Sequence, residues 1–232
     1  MPALGSLARR LLPGWLERPI REAVVARRDR AQLHAYRLSP ALPPPHAVKV
    51  EAILGAARRH GIHVLVESGT FEGEMARKCR HAFRSVMTIE LSETLADAAA
   101  RRLAPYRNIR VIRGNSGERL PELLRDLREP ALFWLDGHYS GEGTARGSSD
   151  TPLEEELRAI ARHGVHGHVV LIDDARLIGT GDYPTRERIV AILREAEPGI
   201  ETRIEDDILI CERNAVTARN PAPDTGRGSR PS

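Results

Sequence analysis

A doubly wound α/β fold, a mostly parallel sheet covered by helices on both faces, is predicted for residues 46–213 by three features of the chain. Short apolar runs such as Leu132-Phe-Trp-Leu135 and Val169-Val-Leu-Ile172 are uninterrupted, as expected of strands buried on both faces. Segments with helical spacing alternate with these runs, and repeated strand–helix units imply right-handed crossovers. Acidic residues follow two of the strands directly: Asp136 in Ala131-Leu-Phe-Trp-Leu-Asp136, and Asp173-Asp174 after Val169–Ile172. At such tips a carboxylate faces the ligand crevice of an open parallel sheet, and side chains from strands about 4.8 Å apart can converge on one cation or substrate.

The elements follow in order. A helix from about 47 to 60 precedes strand one at His63–Val66, and a helix from about 73 leads to strand two at Ser85–Ile89. Helix 93–104, carrying Leu95 and Ala98–Ala100, leads to strand three at Ile109–Ile112, and helix 118–128 leads to strand four at Leu132–Leu135. Thr151-Pro-Leu-Glu154 reads as a capping box with proline at the first helical position, so a helix begins there and leads to strand five at Val169–Ile172. A last helix over about 185–196 precedes two short strands around Asp206-Asp207, which predict an antiparallel edge. There is no internal repeat.

The ends differ from this core. Residues 1–45 form an N-terminal helical arm, with apolar spacing at Leu7, Leu11, Leu12 and Trp15 and again from Ile20 to Leu33, ended by Pro40 and Pro43-Pro-Pro45. An amphipathic basic arm suits a membrane surface, packing on the core, or a second subunit, so a homodimer through the arm is one expectation. Residues 214–232 hold too little apolar surface to fold and are predicted to be a disordered tail.

Composition narrows the function classes. Net charge is +3, Lys49 and Lys78 are the only lysines, and no basic run is interleaved with aromatics, which argues against a nucleic-acid partner. Cys79 and Cys211 lack metal or redox spacing, no apolar run is long enough to span a bilayer, and residues 1–10 lack a signal-peptide core. A cytoplasmic protein without stable membrane insertion is the expectation.

After strand one comes Glu67-Ser-Gly-Thr-Phe-Glu-Gly73. Glycine at a strand-to-helix turn lets a ligand approach the backbone. Phe71 stands where the second glycine of a dinucleotide fingerprint belongs, and no Gly-Lys-Ser/Thr follows, so the turn does not read as a phosphate cradle. An acidic mouth at Glu67 better suits a cationic ligand bearing a nucleoside. Glu90, ending strand two, can accept hydrogen bonds from both ribose hydroxyls or merely cap a helix; Asn115 and Ser116, ending strand three, can meet an adenine edge.

Together these residues resemble the class I S-adenosylmethionine-dependent methyltransferases over about residues 47–213. The matching positions are Glu67, Gly69 and Gly73 in the first motif, Glu90 in the second, and Gly114-Asn-Ser116 in the third; Asn115 stands where many members carry an acid. The resemblance implies a Rossmann-like seven-stranded sheet with the last strand antiparallel. It also implies S-adenosylmethionine bound by Glu67, Gly69, Thr70, Gly73, Glu90, Asn115 and Ser116. Within the superfamily, Asp136, Asp173 and Asp174 resemble the metal ligands of cation-dependent O-methyltransferases, implying Mg²⁺ or Mn²⁺. The lysine those enzymes carry three positions after the first aspartate is Tyr139 here, which leaves His138 as the candidate base, alongside Asp136. Residues 140–150 and 179–184 are candidate lids, and Arg146 and Arg176 could bind an anionic group or pair on the surface. The expected activity is metal-assisted O-methylation of a small-molecule or sugar hydroxyl. A metal-carboxylate hydrolase on the same fold and a non-catalytic nucleoside-binding domain are the alternatives.

Overall fold

The computed structural model of the chain describes residues 14–137 and 151–213. It divides into two units, residues 1–51 and 52–232. The first holds α1 (Gly14–Leu38), whose Arg37 pairs with Glu51 at 2.6 Å. Helix α2 (His46–His60) starts in this unit and runs into the next. No helix among the described residues is long and apolar enough to cross a membrane.

The second unit is built on seven strands: β1 (Val64–Ser68), β2 (Ser85–Glu90), β3 (Ile109–Arg113), β4 (Leu132–Leu135), β5 (Val169–Ile172), β6 (Ile200–Glu205) and β7 (Ile208–Arg213). Their order is β3-β2-β1-β4-β5-β7-β6. The first five strands pair in parallel, whereas β7 runs antiparallel to both β5 and β6, as the sequence predicts for the closing pair. The tight β6–β7 turn places Asp206 and Asp207 at φ 50° and 61°, the left-handed conformation of a two-residue hairpin turn that aspartate tolerates. Between the strands lie α3 (Glu74–Cys79), α4 (Glu93–Leu103), α5 (Ser116–Leu124), α6 (Leu153–Ala161) and α7 (Arg186–Ala196).

All four residues of β4 and all four of β5 are buried, which explains why these strands carry no polar alternation. Leu153, Leu157 and Ile160 of α6 join the same core as Phe133, Leu135, Val170 and Ile172. Cys79 and Cys211 are both free and buried, and burial pushes the Cys211 thiol up to about 12.

Three boundaries depart from the sequence reading, each for a local reason. Strand β1 continues through Glu67 and Ser68, because the ladder to β2 pairs Glu67 with Thr88 and Ser68 with Ile89. Helix α5 begins at Ser116 because the Asn115 side chain caps it, accepting from the Gly117 N–H at 3.0 Å. The capping box at Thr151–Glu154 does not form: the Thr151 hydroxyl accepts from Leu153 N at 3.3 Å. The Glu154 carboxylate instead takes Arg158 and Arg188, each at 2.7 Å.

The amino-terminal end of the sheet is closed by a chain of histidine hydrogen bonds. The Ala131 N–H donates to His168 Nδ1 at 3.0 Å, so the His168 proton sits on Nε2 and points to His163 Nδ1 at 2.8 Å. His163 Nε2 then donates to the Leu127 carbonyl at 3.2 Å. Both rings are thereby neutral and in fixed tautomers. Burial, then the neighbouring His163, lowers the His168 pKa to about 4.

Candidate active site

The carboxyl ends of β1, β2, β4 and β5 meet at one edge of the sheet. The ladder continues past the strands there, with Asp136 N–H donating to Ser68 O at 3.2 Å and Asp173 N–H to Leu135 O at 3.1 Å. Register therefore sets Asp136 beside the β1 tip and Asp173 beside the β4 tip.

The turn after β1 alternates into positive φ: Gly69 at 84°, Phe71 at 47° and Gly73 at 71°. Phe71 thus keeps the backbone of the glycine it replaces, a costly conformation for a bulky residue. Its N–H donates to Glu90 Oε2 at 2.7 Å, and Ser92 N–H donates to Glu90 Oε1 at 3.0 Å. Glu90 is thereby held by the turn above it and the start of α4 beside it, and each oxygen retains a further lone pair for a ligand.

The two glycines of the turn answer first to protein contacts. A Cβ on Gly69 would lie 2.3 Å from the Asp136 carbonyl oxygen, and one on Gly73 would lie 2.7 Å from Leu103 Cδ1. Gly69 lets the β1 and β4 tips close on each other, while Gly73 lets α3 approach α4. Thr70 is buried and its hydroxyl bonds to that of Thr88 at 2.6 Å, so it faces β2. Gly137 has a similar role, since its Cβ would meet the Ser68 and Ser116 hydroxyls at 3.2 and 3.4 Å. Ser116 therefore turns under the β4 tip, and the Asn115 Oδ1 is committed to the α5 cap.

Two of the buried carboxyls at this edge hold their protons more tightly than usual. Glu67 is 1% exposed, and burial raises its pKa to about 8, opposed by the Thr88 hydroxyl and reinforced by Asp136 and Glu90. Burial therefore favours the protonated form of Glu67, which then adds less charge to the mouth than an ordinary glutamate would. Glu156 of α6, which the sequence reading passed over, is also 1% exposed. Burial pushes its pKa up to about 7, against the pull of the Ser116 and Ser68 hydroxyls and with a push from Glu155 and Asp136. Its signal lay in the pattern, because Glu156 interrupts the apolar stripe Leu153, Leu157, Ile160 of α6. Glu67 Oε2 and Glu156 Oε1 are buried and have no hydrogen-bond partner among the described residues, and the Ser68 hydroxyl beside them is near enough to Glu156 to pull on its carboxyl without closing a well-aligned hydrogen bond. Unsatisfied atoms gathered at one edge are a place for ligand or water.

The acids of β4 and β5 converge on Tyr183, a second residue the sequence reading did not single out. Its phenol pKa is raised by burial, then by Asp174, Asp136 and Asp173. Asp174 adopts φ 50° and its Oδ1 binds Arg176 Nη1 at 2.8 Å, while Asp173 Oδ1 accepts from the Asp174 N–H at 2.9 Å. Arg176 also contacts the buried Asp207 carboxylate, so it is a structural ion-pair partner. Among the described residues, no group of three or more His, Cys, Asp or Glu is placed to hold a metal ion. Of the expected triad of Asp136, Asp173 and Asp174, the last two each have one oxygen engaged by a protein donor, and Asp174 is ion-paired with Arg176. His138, the loop 140–150 and Arg146 lie outside the described residues.

Neither a protein-family description nor a curated protein sequence matches this chain. Solved structures do. An O-methyltransferase from Bacillus cereus in complex with SAH aligns with a TM-score of 0.54 at 15% identity, over 80% of this chain and 90% of that one. The O-methyltransferase TomG from Streptomyces achromogenes, involved in tomaymycin synthesis and in complex with SAM, gives 0.50 at 18%, over 80% and 89%. The SAH-bound methyltransferase PaMTH1 of Podospora anserina gives 0.51 at 14%, over 88% and 98%. At these identities the likeness is one of fold: this chain has the Rossmann-like fold of the class I methyltransferases, as its sequence motifs indicated.

Proposed function

We propose that this protein is an S-adenosylmethionine-dependent methyltransferase that methylates a hydroxyl of a small molecule or sugar. The observation that carries this reading is Glu90. Its carboxylate is clamped by two backbone N–H groups at the tip of β2, directly below the positive-φ turn of residues 69–73. A carboxylate so fixed suits the vicinal hydroxyls of a ribose. The buried unpartnered oxygen of Glu67 at the end of β1 fits a polar ligand lying across that strand tip.

When bound, the donor supplies an electrophilic methyl on a sulfonium. The protein's share is to align the acceptor oxygen with it and to take up the hydroxyl proton. Asp136 stands at the β4 tip beside Ser68, and His138, two residues on, is proposed as the base.

Isothermal titration with S-adenosylhomocysteine tests this reading. The parent protein should bind it, and Glu90→Ala should weaken binding at least about tenfold through loss of charge-assisted hydrogen bonds worth about 1.5–3 kcal/mol each. A parent that shows no binding would sink the assignment.

A further inference from the structure

We propose that Arg176 is the resident cation of the acidic mouth: its guanidinium occupies the electrostatic position for which the sequence suggested a divalent ion, and while it is there the site takes up no such ion. The proposal concerns the acceptor side of the crevice assigned above.

Arg176 follows the paired acids of β5 by two residues, at the start of a short 3-10 turn, Ala175–Leu177. Its Nη1 bridges Asp174 Oδ1, at 2.8 Å, and Asp207 Oδ2. The backbone reinforces the arrangement. Arg176 N–H donates to Asp207 Oδ1 at 2.9 Å, and Ala175 N–H donates to the Asp207 carbonyl at 2.7 Å. The β6–β7 turn is therefore latched to the tip of β5, with Asp174 and Asp207 both held at positive φ to complete it.

The exclusion follows from burial. The Asp207 side chain is 3% exposed and that of Asp174 is 10% exposed. A divalent ion ligated by Asp174 would have to displace the guanidinium, leaving Asp207 as a buried anion stripped of its cation. If the guanidinium stayed, the ion would sit against a like charge. Arginine suits this post better than lysine would, because its planar fork is weakly hydrated and pairs readily with carboxylates. Asp173 alone offers an ion little, since one of its oxygens already accepts from the Asp174 N–H at 2.9 Å and its neighbour Asp174 is ion-paired.

Manganese binding, followed by the loss of the free-ion paramagnetic resonance signal, tests the proposal without knowledge of the acceptor. The parent should show no saturable binding below about 1 mM, weaker than the sensor-type sites proteins build from free carboxylates. Arg176→Gln should bind at least about tenfold more tightly, and Asp174→Asn combined with Arg176→Gln should lose that gain. Arg176→Lys, which keeps the charge, should behave as the parent does. Micromolar binding by the parent, or no gain in a folded Arg176→Gln, overturns the proposal. The parent titration decides the matter even if that variant fails to fold. S-adenosylhomocysteine affinity measured on the same samples reports separately on the methyltransferase reading.

Discussion

Glu67 ends a strand with its carboxyl 1% exposed, so its charge state is tied to folding. Its folded pKa of about 8 lies above the ordinary value of 4.5, so the native state holds its proton more tightly than the unfolded chain does. That contribution is complete below about pH 4.5 and is lost as pH rises through about 8; at ~1.4 kcal/mol per pKa unit it amounts to on the order of 4–5 kcal/mol at most. Melting temperature of the ligand-free protein should therefore fall between pH 6 and 9, and Glu67→Gln, which mimics the protonated acid, should flatten that fall. An unchanged slope would mean that water reaches this carboxyl. The sequence reading ended strand one at Val66 and took Glu67 as charged. An acid inside a strand is legible only when its protonation is anticipated, and protonation depends on neighbours such as Thr88 that are distant in the chain.

At the scale of elements, the close meeting of β1 and β4 rests on one missing methyl group. Gly69 and Gly61 both have positive φ, 84° and 63°, yet a Cβ at Gly61 would meet nothing within 4 Å, whereas at Gly69 it would strike the Asp136 carbonyl at 2.3 Å. Gly61→Ala should cost only the left-handed backbone penalty, about 1–2 kcal/mol. Gly69→Ala should cost about 2 kcal/mol more, because backbone must move. Urea unfolding of the pair measures the difference, and equal losses would show that the tips are not tightly apposed. The buried strands β4 and β5 were legible to the residue, since an uninterrupted apolar run has few other uses. Helix starts were less so. Asn115 caps through a side chain whose partner depends on the neighbouring turn, and Glu154 carries an ion pair with Arg188 on another helix. The acidic tips were read correctly as neighbours. The pairing of Asp174 with Arg176 was not legible, because that guanidinium is also held by Asp207 from the far hairpin.

The whole molecule carries opposing titrations at the two ends of its sheet. At the carboxyl edge Glu67 favours low pH. At the amino edge the His163–His168 chain needs both rings neutral. The His168 pKa of about 4 lies below the ordinary 6.5, so its stabilisation is present above about pH 6.5 and is lost as pH falls toward 4. The loss is on the order of 3 kcal/mol at most. Glu156, raised to about 7, acts in the same sense as Glu67, and His168 opposes the pair only between about pH 4 and 6.5, so melting temperature should fall from about pH 4.5 to about 8, read at pH 4.5, 6 and 8.5. His168→Gln should steepen that fall between about pH 4.5 and 6.5 alone, and an unchanged slope there would refute this account.

The strand order leaves β3 and β6 at the margins of the sheet. β3 reads Ile-Arg-Val-Ile-Arg, with Arg110 and Arg113 exposed, and β6 reads Ile-Glu-Thr-Arg-Ile-Glu, with Glu201 and Glu205 exposed. Two molecules meeting through β3 would set arginine near arginine, and two meeting through β6 would set glutamate near glutamate. Such margins are open templates for fibre growth unless something guards them. Here the guard is the charge the margins carry, Arg110 on one and Glu201 on the other, since Arg113 and Glu205 are paired within the molecule. High salt, which shortens the Debye length toward about 3 Å, weakens that guard between copies.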